Sequence, residues 1–291
     1  MKRFLWLAVP VFISSCDYSD NFSTKDKDEI DKLVNRSLNN MVVIKGGTFR
    51  MGDFGRLIGE KLPLTGENDN EPLHDVTLSD FSISKYKVTY KDYDIYTEII
   101  GEDKLELPKA LESNPKLRAP DMPVSVTWDQ ANEFFLWLGK SAGKNISLPT
   151  EAQWEYSARS GGAFIVYATG SGEFEYGKDI PSSKQRSQMT DEPLFNIPVG
   201  KFPPVKFGLY DMAGNGVDWV NDWYNENYYR QSPKNNPQGP ENGTEKVVRG
   251  YQSGGGVTTN QSVYRQHAKP YPGEEGRGFP PKYNFRCVVN K

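Results

Sequence analysis

Residues Met122–Arg159, "MPVSVTWDQANEFFLWLGKSAGKNISLPTEAQWEYSAR", hold two helix starts of one design. Thr127 stands three residues before Gln130, and Thr150 three before Gln153. In each, the hydroxyl can accept an early helical N–H while the glutamine amide reaches back to the cap. After Thr127, the apolar residues Ala131, Phe134, Phe135 and Leu138 fall on one helical face. The second helix, "TEAQWEYSARSG", is expected to end at Gly161 or Gly162, since glycine tolerates the left-handed backbone of a helix stop. Upstream, Thr89 opens "TYKDYDIYTEII", which Gly101 stops.

Strands precede these helices. "MVVIKGGTFRMGD", from Met41, reads as a strand, a Gly46-Gly47 turn and a second strand, together a hairpin. Residues 53–71 form a polar loop, and "HDVTLSDFSISKYKV" then alternates over Val76, Leu78, Phe81 and Ile83, the mark of half-buried strands. Beyond residue 162 there is no long periodic run and no internal repeat. One α+β domain over 41–291, irregular and poor in regular secondary structure, is the expectation. Composition agrees: apolar residues are only 36%, with 27 Gly and 20 Pro, so turns abound. The core must then come from 6 Trp, 16 Tyr and 15 Phe, each able to bury roughly 150–250 Å².

The N-terminus, "MKRFLWLAVPVFISSC", is a targeting segment over residues 1–16. Lys2 and Arg3 precede an apolar run, Phe4 to Ile13, well short of the ~20 residues a spanning helix needs. "ISSC" resembles the bacterial lipobox, so Cys16 is expected to be lipidated and to anchor the protein facing the periplasm; the alternative is an ordinary secretory signal with an incidental Cys16. Each buried methylene of such an acyl chain adds ~0.8 kcal/mol. Asp17 would favour the inner membrane by enterobacterial sorting, with the outer membrane the alternative. Residues 17–40 read as a polar tether carrying a short helix, about Lys25 to Leu38, capped by Ser23 or Thr24. Cleavage would take the net charge from −3 to −5, and no Lys/Arg block reaches five in a row. A nucleic-acid partner is thereby disfavoured, because phosphate contacts need a dense basic face.

In order and spacing, six segments resemble the formylglycine-generating enzyme, or sulfatase-modifying factor, family. They are "MVVIKGGTFRMG" (41–52), "PLHDVTLSDFSISKYKVTYKDY" (72–93), the 122–159 stretch, "FGLYDMAGNGVDWVNDWY" (207–224), "VVRG" (247–250) and "YNFRC" (283–287). The resemblance implies a C-type-lectin-like fold. Its formylglycine-generating members oxidise a substrate cysteine with oxygen, using a copper-binding cysteine pair shortly after an R-G-G-S element; soft thiolates suit Cu(I). Here that region reads "RGYQSGGGVTTNQSVYR", and no cysteine lies between Arg249 and Arg286, so copper is not expected. Cys287 is read as a small buried hydrophobe in the last strand, with a reactive lone thiol as the alternative.

The resemblance implies a calcium site at Asn215, Gly216 and Asp218, with Asp218 in place of the family's glutamate; the alternative is a turn in which Asn215 and Asp218 bond backbone amides. A non-haem iron triad would need both histidines, His74 and His267, and His74 is expected to pack within the scaffold. The three glycines at 254–256 lack the lysine of a phosphate loop, and no G-x-S-x-G elbow occurs. The aromatic run "DWVNDWYNENYY" could face a glycan or peptide, but the resemblance implies core positions for Trp219 and Trp223. Ser253, Tyr264, Arg265 and His267 remain as polar groups around the emptied cleft. Two functions follow as expectations. The favoured one is a non-catalytic lipoprotein holding a protein or glycan partner in the envelope, in one form an immunity-type inhibitor of a secreted effector. The alternative is a divergent metal-dependent oxidoreductase.

Overall fold

A computed structural model of the chain describes residues 22–251, 257–271 and 283–290; Cys16, Asp17 and Ser253 lie outside them. The first helix, α1 (Thr24–Asn39), is capped by Ser23 in a reciprocal box with Asp26. It is no tether. Ile30, Leu33, Val34 and Leu38 recur at three and four positions, and Ile30 and Leu33 are buried in the larger apolar cluster. That stripe packs on α2 (Tyr90–Ile100) and α3 (Trp128–Ala142), because an amphipathic helix in reach of a core buries its apolar face. Arg36 adds bonds of 2.9 and 2.6 Å to Asp92. The domain therefore begins before residue 41. Both other helices start where the sequence indicated, α2 at Thr89 and α3 at the Thr127–Gln130 box.

The expected hairpin does not form. β1 (Met41–Ile44) and β2 (Thr48–Met51) join different sheets: β2 pairs with β3 (His74–Thr77), and β1 with β4 (Phe81–Ser84), both antiparallel. Gly46 supplies the reason. A Cβ there would stand 2.1 Å from the Leu78 carbonyl oxygen and 2.5 Å from the Ser79 carbonyl carbon. The turn is thus pressed against the link between β3 and β4, which only glycine allows, and the chain crosses to a new partner instead of folding back.

Two four-stranded sheets complete the frame. One runs β1-β4-β10-β5, with β5 (Ile146–Ser147) and β10 (Val288–Asn290). The other runs β8-β7-β6-β9, from β6 (Gly216–Trp223), β7 (Lys246–Tyr251), β8 (Gln266–Ala268) and β9 (Tyr283–Asn284), with only β6–β9 parallel. Helix α4 (Glu151–Ala158) starts at the Thr150–Gln153 box and stops at Ala158, before the two glycines, with Arg159 as its cap. Every residue of α4 is buried. A further helix, α5 (Ser183–Thr190), follows a Ser182–Gln185 box. That box was visible in the sequence, but no apolar period followed it. The fold class is α+β, with short strands and long irregular connections.

Aromatic rings supply the core as composition required. Phe134 packs edge-on to Tyr96 at 5.3 Å, and Phe135 to Phe285 at 5.1 Å. Leu33, fully buried beneath α1, joins this cluster. Leu33→Ala should destabilise the domain by about 2–5 kcal/mol, read from urea unfolding. An unchanged midpoint would mean that α1 is a free tether after all.

Candidate functional site

Helix α4 carries two fully buried carboxylates, Glu151 and Glu155. Arg265 grips Glu151 through Nε and Nη2 at 2.7 and 3.0 Å. Arg249, from β7, bridges Glu151 at 2.7 Å and Glu155 at 2.8 Å. Arg159 closes the chain on Glu155 at 2.6 Å. Signs alternate along the whole row, and each member is at most 1% exposed. Burial alone would raise the Glu151 carboxyl, but Arg265 and Arg249 outweigh it and hold it below the usual carboxylate range. Arg265, expected at a cleft, is thus a core cation.

A second buried centre lies across Trp154. Asp218 accepts from Lys87 Nζ at 2.7 Å, from Arg286 Nε at 2.7 Å and from Trp154 Nε1 at 3.0 Å. Lys87 also donates to the Gly216 carbonyl at 3.3 Å, and Asn215 Oδ1 accepts the Ile197 N–H at 2.9 Å. The calcium expected at Asn215, Gly216 and Asp218 does not fit this arrangement. The ammonium of Lys87 already binds two of the three groups, and Arg286 neutralises the other carboxylate oxygen. The turn reading is closer for Asn215; Asp218 is a counter-ion. Burial would raise its carboxyl, yet Arg286 and Lys87 hold it below the usual range.

His267 and His74 are each linked to Arg265 through a tyrosine ring. Tyr264 is half-buried. His267 stacks on Tyr224 at 3.9 Å, and its Nδ1 lies 2.9 Å from Glu245 Oε2. His74 instead packs edge-on to Tyr229 at 4.7 Å, with Nδ1 3.0 Å from the Pro72 carbonyl. Arg265 lies against both tyrosine rings, at 5.2 Å from Tyr224 and 4.4 Å from Tyr229. Among the described residues no group of three His, Cys, Asp or Glu is placed to share a metal ion. Cys287 is buried, its backbone N–H bonded to Ser84 Oγ at 3.2 Å, and burial pushes its thiol up to about 12.

The aromatic run is largely interior. Trp219 is fully buried and donates to the Val126 carbonyl at 2.9 Å. Trp223 is half-buried, and with Trp128 it sandwiches Lys246, whose Nζ is 3.8 Å from each ring centre. Burial draws the Lys246 amine down to about 8. Nearby Asp222 accepts the Glu151 N–H at 2.8 Å; burial and the Glu151 charge push its carboxyl up to about 7.

The family described as the sulfatase-modifying factor enzyme 1-like domain matches residues 26–291. The chain belongs to this sulfatase-modifying factor family. The match begins within α1, in keeping with that helix's place in the core. The motif residues of this sulfatase-modifying factor domain turn out to neutralise one another. Glu151 and Glu155 of "LPTEAQWEYSAR" meet Arg249 of "VVRG", while Asp218 of the "GNGVDW" loop meets Arg286 of "NFR".

Among relatives, the serine/threonine-protein kinase pkn1 of Chlamydia pneumoniae is 33% identical over 230 residues, covering 73% of this chain and 33% of the kinase. The chain thus spans about a third of the length of that relative. The formylglycine-generating enzyme of Streptomyces coelicolor is 29% identical over 265 residues, covering 74% of this chain and 79% of the enzyme. The structure of PvdO from Pseudomonas aeruginosa superposes with a TM-score of 0.65 at 28% identity, over 86% of this chain and 94% of PvdO.

Two outcomes test this electrostatic core. Arg249→Met leaves both α4 glutamates short of a partner and should cost about 3–5 kcal/mol in chemical denaturation. For Asp222, the unfolded carboxyl ionises near 3.9 while the folded one holds its proton to about 7. Its contribution to stability therefore falls as pH rises between those values. Asp222→Asn keeps an acceptor for the Glu151 N–H but cannot ionise, so its melting temperature should vary less between pH 5 and pH 7 than that of the parent protein. Equal slopes would mean that Asp222 is ionised throughout.

Proposed function

We propose that this sulfatase-modifying factor domain is a binding module, held to the envelope by lipid on Cys16 and facing the periplasm, that engages a protein or glycan partner without redox catalysis. An immunity-type inhibitor of a secreted effector is its most concrete form. One observation carries the non-redox part. Apart from Cys16, Cys287 is the chain's only cysteine, and it is buried with a thiol that stays protonated at neutral pH. Thiolate pairs are what hold Cu(I), and a second thiol within the domain does not exist to complete one.

The position of α1 sharpens the anchoring part. Chain between Cys16 and Ser23 can reach at most about 25 Å, and from Ser23 onward it is fixed to the domain. A lipid on Cys16 would therefore keep the domain close against the bilayer rather than at the end of a long tether. No described helix is long and apolar enough to cross a membrane, so the lipid would carry that attachment.

A second reading, a divergent metal-dependent oxidoreductase, has one observation in its favour. His267 is about two-fifths exposed, and Glu245 fixes its Nδ1 while Tyr224 fixes its ring. Among the described residues its other nitrogen makes no hydrogen bond, and a carboxylate-oriented imidazole of this kind is a common base or metal ligand. Purified protein lacking residues 1–16, supplied with copper or iron, should consume no oxygen with a thiol or phenol substrate. Turnover abolished by His267→Ala would replace the first reading with the second. Separately, Cys16→Ser should move the protein from the membrane to the soluble fraction of the envelope; retention in the membrane would dismiss the lipid anchor.

A further inference from the structure

On the face where the β10–β5 edge meets the start of α4 lies a cavity of about 300 Å³ whose lining differs in kind from the rest of the surface. Its walls are mostly hydroxyls and carboxamides, with Leu148 the single apolar contributor among the described residues. Among the described residues no Lys, Arg, His or aromatic side chain lines it, and its one carboxylate, Asp80, is bonded to Lys45 at 2.8 Å and to the Gly46 N–H at 3.0 Å. Nothing here would neutralise an anion or shelter an apolar group. The volume is at the lower end of small-molecule sites.

The polar groups are held in place before any ligand arrives. On one side Gln153 donates to Asn290 at 2.8 Å, and Asn290 donates to Ser147 at 3.3 Å. On the other, Asn236 is doubly bonded to Ser79, at 2.8 and 3.0 Å, and Gln238 donates to the Asn236 carbonyl at 2.9 Å. Between these frames stand Asn145 and Asn221, whose side-chain amides have no partner among the described residues. Each offers a donor pair and an acceptor in one plane. Vicinal hydroxyls, each both donor and acceptor, complement that plane with paired hydrogen bonds.

We propose that this cavity binds a neutral sugar unit, with Asn145 and Asn221 as the principal contacts and Gln238 as a third. The inference rests on the binding-module reading for its role, and it gives that reading a ligand class. Of the described residues after Tyr251, only Asn290 takes part in it.

The test uses the domain without residues 1–16 and a panel of neutral disaccharides: maltose, cellobiose, lactose and diacetylchitobiose. Titration by calorimetry, with side-chain amide resonances followed by NMR, should show at least one sugar binding and shifting both Asn145 and Asn221. Asn145→Ala and Asn221→Ala should each weaken it ten-fold or more, with melting temperatures unchanged because neither side-chain amide has a partner among the described residues. Absence of binding up to about 20 mM, or binding indifferent to both substitutions, overturns the proposal. So does displacement of the sugar-linked shifts by a neutral Gly-Ser-Asn peptide at lower concentration, which would make the site a peptide site. Oxygen turnover together with intact sugar binding would defeat only the broader non-catalytic reading.

Discussion

Two glutamates on a helix with no exposed face set the terms for most of this molecule. An unpaired carboxylate in such surroundings is prohibitively costly, so α4 can occupy the centre only if cations arrive from elsewhere in the chain. They come from Arg159 at its own end, Arg249 in β7 and Arg265 just ahead of β8. Satisfying Glu151 and Glu155 thus fixes where β7 and the segment before β8 must lie. Pairs of this kind add little net stability over an apolar core, but disrupting one is expensive. Their contribution here is to the choice of arrangement.

The second centre extends the same logic across one ring. Trp154, also on α4, donates its indole N–H to Asp218, while the Arg249 guanidinium lies 5.2 Å from its ring centre. Asp218 and Arg249 face each other across β6 and β7 in register, yet each takes its main charge partner from another element. Lys87 and Arg286 bring the approach to α2 and the entry to β10 onto the same carboxylate. One sheet pair and one helix are therefore locked from both sides by charge. The second carboxylate is the one that, in sequence, looked like a cation ligand. Its cations are covalently part of the chain.

What the sequence disclosed follows from local physics. Capping boxes are contained within four residues, and alternation within a strand, so α2, α3, α4 and the β3–β4 segment could be read directly. The docking of α1 was hidden because its stripe of Ile30, Leu33, Val34 and Leu38 sits among lysines and aspartates that resemble a solvated linker. The parting of β1 from β2 was hidden because Gly46-Gly47 looks the same in a hairpin turn as in a crossing. The burial of α4 was hidden for another reason. "TEAQWEYSAR" has surface chemistry, and only arginines roughly a hundred residues downstream make it interior. For the same cause Arg265 read as a cleft residue and Asp218 as a metal ligand: a charge's role depends on a partner that spacing does not reveal.

These assignments constrain function by subtraction. Arg249, Arg265, Arg286, Lys87 and the acids they neutralise are committed to the interior, so these charges serve the fold rather than a ligand. His267 and Glu245, by contrast, pair at the surface, with the imidazole stacked on Tyr224. In the cavity beside α4 the unbonded groups are the carboxamides of Asn145 and Asn221, which neither titrate near neutral pH nor coordinate soft metals. Such groups recognise; they do not readily catalyse. A cavity that presents fixed amides on a charge-locked scaffold is physically suited to hold a neutral polar ligand.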